Sequence, residues 1–97
     1  MKTLDEIKNT ISKYKTYLID NFKVKSISVF GSYLRGEQKK NSDLDVLVEF
    51  SETIDLFEFI KLENYLADIL GCKVDLVMKD ALKPRIKDRI LREAVII

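Results

Sequence analysis

Two aspartates and a glycine–serine pair lie close together in the segment FGSYLRGEQKKNSDLDVLVEF, residues 30–50. Gly31 and Ser32 end an apolar run, and ten residues separate Ser32 from Asp43. Asp43 and Asp45 are two positions apart, so in an extended chain their carboxylates project to the same side. Two carboxylates held this close repel each other unless a cation lies between them. Because Mg²⁺ prefers oxygen ligands of this kind, the pair is a candidate magnesium site.

The residues around Ser32 are of types that contact phosphates. Gly31 and Ser32 leave a predicted strand and enter a predicted helical turn, which places backbone N–H groups and a hydroxyl where a phosphate can bind. Arg35 and the pair Lys39 and Lys40 follow in the sequence and would add positive charge for a triphosphate.

A third acid, Asp75, lies in the apolar run KVDLVM, residues 73–78. A carboxylate in such surroundings is costly to bury without compensation. If this strand pairs beside the second one, Asp75 joins Asp43 and Asp45 on one face of the sheet. Three carboxylates there could hold two metal ions about 4 Å apart for an in-line displacement at phosphorus. The metal and one carboxylate would then deprotonate the attacking hydroxyl.

The composition excludes several other kinds of chemistry. The 97 residues contain no histidine, which rules out Ser-His-Asp and Cys-His hydrolysis, HExxH zinc sites and imidazole acid–base catalysis. No Walker GxxxxGK[ST] or GxGxxG motif is present, and Ser32 lacks the GxSxG context of a nucleophile. The single Cys72 predicts a small buried thiol.

The charge and hydropathy of the chain indicate its general class. The net charge of +1 gives no general argument for binding to nucleic acid or to a membrane. No apolar run approaches the length that spans a membrane, and the start MKTLDEIKNTISKY has the charge mix of a helix. We therefore expect a cytoplasmic protein.

Hydrophobic periodicity predicts one α/β domain over residues 1–97, with a small mixed sheet of about three strands and the order α-β-α-β-α-β-α. The predicted elements are a helix over 3–22, a strand over 25–30, a short helical turn over 32–36, a strand over 44–50, a helix from Asp55 to Gly71, a strand over 73–78, a helix from Pro84 to about Glu93 and an extended tail AVII. A capping box of Asp55 and Glu58 and a hydrophobic staple of Ile54 and Phe59 support the start of the second long helix. We assign all five phenylalanines to core or staple positions, and we expect the last helix to bury Ile86, Ile90 and Ala94.

Charge is unevenly distributed along the chain. Residues 49–68 carry a local charge of −5, and residues 79–92 carry +4. Arg85, Arg89 and Arg92 recur at helical spacing and form a basic stripe. The stripe is either a solvated helix face or a docking surface for a protein or RNA partner. Because no aromatic residues interleave with the arginines, direct nucleic-acid binding is disfavoured and a protein partner is preferred.

These motifs together resemble the nucleotidyltransferase superfamily that includes DNA polymerase β, and more narrowly the minimal nucleotidyltransferase (MNT) domain family. The residues that carry the resemblance are Gly31-Ser32, Arg35-Gly36, Ser42-Asp43-x-Asp45 and Val74-Asp75-Leu76-Val77. The ending LKPRIKDRILREAVII is also similar to the family's usual finish, so the resemblance covers nearly the whole chain.

The resemblance implies a site that binds Mg-NTP and transfers a nucleoside monophosphate to a hydroxyl. It makes Asp43, Asp45 and Asp75 the catalytic and metal-binding carboxylates, with two Mg²⁺ ions, and makes Gly31 and Ser32 the triphosphate contact. Family members are often antitoxins paired with a HEPN ribonuclease toxin. Several are similar enough to suggest transfer of AMP from ATP to a tyrosine of such a partner, within a hetero-oligomer.

The motif departs from the family's frequent GSRARG, because GSYLRG here puts Tyr33 and Leu34 in place of an arginine and an alanine. One positive charge near the phosphates is lost, while Arg35 is retained. Tyr33 either stacks on a nucleotide base or covers the loop. The predicted nucleotide-binding residues are Gly31, Ser32, Tyr33 and Arg35.

Two other functions stay open. In the first, the chain is a non-catalytic antitoxin that neutralises a HEPN ribonuclease by occlusion. In the second, the nucleotide goes to RNA or to a small molecule such as an aminoglycoside. The second is disfavoured, because a chain of 97 residues leaves no room for the extra domain that usually holds such an acceptor. The acceptor, the base preference and the oligomeric state do not follow from the sequence.

Overall fold

A computed structural model describes residues 3–34 and 43–97, apart from the side chain of Ser32. Its elements in chain order are α1 (Leu4–Phe22), β1 (Val24–Phe30), a 3-10 turn (Gly31–Tyr33), β2 (Leu44–Phe50), α2 (Leu56–Leu70), β3 (Val74–Met78), a second 3-10 turn (Lys79–Ala81), α3 (Pro84–Glu93) and β4 (Val95–Ile96). The predicted mixed α/β class and element order are confirmed. The sheet has four strands rather than three, because the extended tail pairs with β1.

The four strands form one mixed sheet in the order β3-β2-β1-β4. β1 is antiparallel to both β2 and β4, whereas β2 and β3 are parallel. Residues alternate between the two faces of each strand. The core face carries Val46 of β2 beside Leu76 of β3, and the opposite face carries Asp45 beside Asp75.

The core lies between one face of the sheet and the helices α1 and α2. Its fully buried side chains come from both helices and from the inner strands: Ile7, Ile11, Leu18, Ile27, Val29, Leu44, Val46, Val48, Leu62, Leu66 and Leu70. The alternation of the β2 residues follows the pattern predicted for LDVLVEF. Leu47 on the opposite face is also buried, at 3 % exposed. The sheet is therefore covered on one face and only partly covered on the other.

The capping box predicted at the start of α2 is formed in part. The Asp55 carboxylate accepts a hydrogen bond from the backbone N–H of Glu58 at 2.8 Å, which satisfies one of the free donors of the helix. The Glu58 carboxylate lies 3.6 Å from the ammonium of Lys23, so this side chain reaches across to the end of α1. Gly71 ends the helix with a positive φ of 66°, as the sequence predicts.

Four residues that the sequence predicts to be buried are exposed or half-buried. Phe57 is 77 % exposed, because it precedes the buried Leu62 by five residues and so points about 140° away from the core-facing side of α2. Ile86 is 42 % exposed, since α3 buries Ile90 alone among its residues, and Ala94 is half-buried. Cys72 is also half-buried rather than buried.

Candidate active site

Asp45 and Asp75 occupy neighbouring register positions on two parallel strands. Their Cα atoms are partners in the ladder between β2 and β3, so both side chains project from the face opposite the main core. Asp45 is half-buried and Asp75 is exposed. The predicted pairing of the two strands is confirmed, and it brings these two carboxylates to one accessible surface. Because the Asp75 side chain is exposed to solvent, its charge does not incur the desolvation cost that its apolar neighbours in the sequence led us to expect.

Gly31 lies directly against the Asp45 carboxylate. Phe30, which precedes Gly31, is the register partner of Asp45 across the antiparallel strands β1 and β2. Gly31 has a φ of +84°, and a Cβ atom at this position would lie 3.0 Å from Cγ of Asp45 and collide with its Oδ2. Only glycine therefore suits both the backbone conformation and the space. The turn therefore places the backbone of Gly31, a predicted phosphate contact, against Asp45, a predicted metal ligand.

Asp43 precedes β2 and is exposed. Its carboxylate lies within electrostatic reach of the Tyr33 hydroxyl, whose pKa is raised above its usual value by burial first, then by the neighbouring Cys72 thiol, and then by Asp43. Asp43 thus lies at the same edge of the sheet as the end of the glycine turn.

The burial of Tyr33 distinguishes its two predicted roles, which are stacking on a nucleotide base and covering the loop. The side chain is 6 % exposed and belongs to the hydrophobic core cluster. A ring in this position has no free face for a nucleotide base, so the structure favours the packing role over stacking. Sequence reasoning could not distinguish the two, because the residue follows Ser32 directly and its spacing fits either role.

Asp43, Asp45 and Asp75 are the candidate metal ligands of the site. Within residues 3–34 and 43–97, no group of three or more Asp, Glu, Cys or His side chains is arranged to hold a metal ion. The predicted triad is therefore not gathered as a ready-made ligand set, as expected for like charges that repel. The donor type still fits Mg²⁺, because Asp45 and Asp75 present oxygen ligands side by side on an open surface.

Some predicted contacts lie outside the described residues. Arg35, Gly36, Lys39, Lys40 and Ser42 fall in the segment 35–42, and the hydroxyl of Ser32 is also undescribed. Their assignment to nucleotide binding stays a prediction.

Sequence reasoning missed Glu63, which lies on α2. Its Oε2 accepts a hydrogen bond of 3.0 Å from the backbone N–H of Leu76, the residue after Asp75. β3 is an edge of the sheet, so this N–H has no strand to bond. Glu63 therefore ties the strand that carries Asp75 to the helix behind it. No pattern in the sequence singles it out, since α2 carries several acids.

A family model described as Nucleotidyltransferase domain matches residues 11–97. The chain belongs to the nucleotidyltransferase domain family. This confirms the resemblance drawn from Gly31-Ser32, Asp43, Asp45 and Asp75, and with it the prediction of an enzyme that acts on a nucleotide substrate. The residues that match the family model include β2 and β3, the strands of this nucleotidyltransferase that carry Asp45 and Asp75.

Individual relatives and solved structures are also similar to this chain. The protein adenylyltransferase MntA of Thermococcus cleftensis is 50% identical over 95 residues, which cover 98% of this chain and 96% of the relative. A solved toxin–antitoxin structure with AMP-PNP has a TM-score of 0.74 at 32% identity, and the match covers 92% of this nucleotidyltransferase and 70% of that chain.

A third match is a complex of the tri-AMPylated HEPN toxin of Shewanella oneidensis with an MNT antitoxin. It has a TM-score of 0.67 at 25% identity, covering 93% of this chain and 70% of that chain. These findings place the nucleotidyltransferase beside relatives named for AMP transfer to proteins and beside toxin–antitoxin structures. No helix in the described part of the chain has the length and apolar character to cross a membrane.

Proposed function

We propose that this nucleotidyltransferase transfers AMP from ATP to a tyrosine hydroxyl of a partner protein, and that the partner is a HEPN-type toxin. The observation that carries the proposal is the register pair of Asp45 and Asp75, with Gly31 packed against Asp45. A triphosphate held by the glycine turn would lie next to both carboxylates. The relative named as a protein adenylyltransferase, 50% identical, supports the same class of acceptor.

The reaction is a displacement at the α-phosphorus of ATP. The acceptor oxygen forms a bond to that phosphorus, the bond from phosphorus to the bridging oxygen of the β-phosphate breaks, and pyrophosphate leaves. One carboxylate of the group Asp43, Asp45 and Asp75 takes the proton of the attacking hydroxyl. A carboxylate suits this role in a chain that contains no histidine.

Asp45 and Asp75, with Asp43 at the edge of β2, are the residues that would hold Mg²⁺. The ion, as two copies in the proposed site, would supply charge neutralisation for the phosphates and the displaced pyrophosphate. The backbone of the turn at Gly31 lies against the Asp45 carboxylate, and its N–H groups would orient the triphosphate. A reaction that consumes ATP agrees with the cytoplasmic location expected from the sequence.

The proposed partner rests on the solved complexes. The toxin–antitoxin structure with AMP-PNP and the AMPylated HEPN toxin bound to its MNT antitoxin both contain chains that match this one over more than 90% of its length. Binding without catalysis is the second candidate function. It is favoured by one observation: Leu56 and Phe57 on α2 are strongly exposed, and exposed apolar side chains of this kind mark surfaces that bind other proteins.

Label transfer tests the proposed reaction. The chain is incubated with a HEPN-type protein and with ATP labelled at the α- or the γ-phosphate. We expect label on the partner from α-labelled ATP alone. Asp45→Asn should lower the transfer rate by on the order of a hundredfold or more, because the paired carboxylates are disrupted.

Asp68→Asn is the matched control, since Asp68 is an exposed acid on α2 that lies outside the proposed site. It should transfer label at the wild-type rate. Wild-type transfer by Asp45→Asn would contradict the proposed reaction.

A further inference from the structure

The first two turns of α2 expose three large apolar side chains that do not pack in the core. Leu56, Phe57 and Ile60 are 69 %, 77 % and 42 % exposed. Ile60 is three residues from Phe57 and four from Leu56, so the three side chains form one continuous surface on the helix. We call it the α2 apolar surface. Contiguous exposed apolar side chains of this kind mark interaction sites on proteins.

A groove runs beside this surface and shares Leu56 with it. Its volume is about 330 Å³, and its lining residues are Ile54, Asp55, Leu56, Phe59 and Met78. All but one of these side chains are apolar. A bulky aliphatic or aromatic side chain of another protein could therefore enter the groove while its neighbours cover Phe57.

The groove continues into a second pocket of about 310 Å³ that also contains Ile54 and Met78. We call the two pockets together the α2 groove. The second pocket carries three carboxylates, those of Glu49, Glu52 and Asp80.

Two lysines partly neutralise this acidic end of the α2 groove. The Lys79 ammonium lies 3.8 Å from Glu49, and the Lys23 ammonium lies 2.9 Å from Glu52. Asp80 makes no ion pair with any residue in the ranges 3–34 and 43–97. The α2 groove is therefore apolar at one end and net negative at the other. This charge favours an occupant that carries lysine or arginine beside its apolar side chains.

The acidic end of the α2 groove reaches the face of the sheet that carries the candidate active site, and the buried Leu47 lies between the two on β2. Glu49 follows Asp45 by four residues on the same face of β2, a distance of about 13 Å along the strand. A protein held in the groove could extend past the covered Leu47 and reach Asp45 and Asp75. Docking and transfer would then use separate surfaces of the molecule.

We propose that the α2 groove and the α2 apolar surface dock the protein acceptor of AMP transfer. The docked segment of the acceptor carries bulky apolar side chains flanked by lysine or arginine. This inference rests on the proposed function for the identity of the acceptor. It adds that the acceptor is recognised on a surface whose Glu49 lies about 13 Å along β2 from Asp45, so that recognition and chemistry are separable by mutation.

A second copy of this chain is the competing occupant, because α3 also carries basic residues beside the exposed Ile86. Sedimentation of the chain alone separates the two. We expect a sedimentation coefficient that does not change with concentration. Self-association that Phe57→Ser abolishes would overturn the proposal in favour of the second copy.

Titration calorimetry in the absence of ATP tests the docking directly, with a HEPN-type protein as the probe. Phe57→Ser should raise the dissociation constant about tenfold or more, as expected for a central apolar contact. Asp80→Lys should also raise it, because it removes an unpaired negative charge and adds a positive one. Since both side chains are exposed, urea unfolding should give both variants the stability of the wild type.

Two matched controls carry comparable substitutions at other exposed positions. Ile19→Ser changes an apolar side chain of α1 that is 46 % exposed, and Asp68→Lys reverses an exposed acid of α2. Both should bind the probe with the wild-type dissociation constant. Wild-type binding by Phe57→Ser, or no binding by the wild-type chain, would overturn the docking proposal.

The same titration separates this inference from the proposed reaction. Asp45→Asn should bind the probe normally while failing to transfer AMP. If the wild-type chain binds through Phe57 but transfers no label, the docking surface stands and the proposed reaction fails. If the chain transfers label and Phe57→Ser changes neither the KM for the acceptor nor its binding, the reaction stands and the docking proposal fails.

Discussion

At the scale of single residues, the site depends on a missing Cβ atom. Gly31 turns the chain with a φ of +84° and leaves the space that the Asp45 carboxylate fills. The two requirements are independent, since one concerns the backbone and the other concerns a side chain from another strand. They can therefore be separated by comparison with a second glycine that meets only the first requirement.

Gly31→Ala and Gly71→Ala form such a pair. Gly71 has a φ of +66° and is exposed, so alanine there should cost about 1 kcal/mol of backbone strain. Gly31→Ala should cost at least as much and should also displace Asp45, so that AMP transfer is lost. Urea unfolding and label transfer measure the two effects. Equal transfer activity in the two variants would show that the space at Gly31 is not needed.

Tyr33 gives a pH-dependent prediction. Burial raises the pKa of its hydroxyl, so the folded state favours the neutral phenol. The resulting stabilisation is present below the unfolded pKa of about 10 and is lost as the pH rises through the folded value. Tyr33→Phe lacks this titration, although losing the hydroxyl should cost about 1 kcal/mol at neutral pH.

The free energies of unfolding of Tyr33→Phe and of the wild type should therefore converge as the pH rises above about 10. Urea unfolding at about pH 8 and about pH 10.5 measures this convergence. A difference that stays constant would mean that the hydroxyl has the same pKa in both states.

At the scale of elements, the edge strand β3 is held from two sides. β2 bonds one edge of it, and Glu63 of α2 accepts the outward N–H of Leu76 on the other. Leu76 is 5 % exposed, so this N–H has little access to water. The helix thereby fixes the strand whose Asp75 completes the pair with Asp45.

Substitution of Glu63 tests this link. Glu63→Ala should lower the free energy of unfolding by about 1–3 kcal/mol, because a buried N–H loses its acceptor. Glu63→Gln keeps an oxygen acceptor and should lose less. Urea unfolding compares the two variants, and equal losses would mean that the hydrogen bond to Leu76 does not stabilise β3.

Local patterns were enough to predict most elements. The period of two in LDVLVEF defined β2 and its faces, and Asp55 with Gly71 marked both ends of α2. Non-local facts were harder to predict. The pairing of β4 with β1 and the role of Glu63 depend on contacts between distant segments. Phe57 was assigned to the core by its residue type, and its helical angle from Leu62 places it in solvent.

At the scale of the whole molecule, β2 connects two surfaces with different roles. Asp45 near its start belongs to the candidate active site, and Glu49 near its end belongs to the α2 groove. The sequence indicated the first surface, because the spacing of Gly31-Ser32, Asp43 and Asp45 is carried by one short segment. The second surface draws on β2, α2 and the end of β3, so it emerged only from the fold.

The most direct test of the proposed AMP transfer is the mass of the HEPN-type partner after co-production with this chain. We expect the partner to gain one or more adenylyl groups on tyrosine with the wild-type chain and none with Asp45→Asn. A partner that is neutralised equally by both chains, with no gain in mass, would contradict catalysis and establish occlusion as the function.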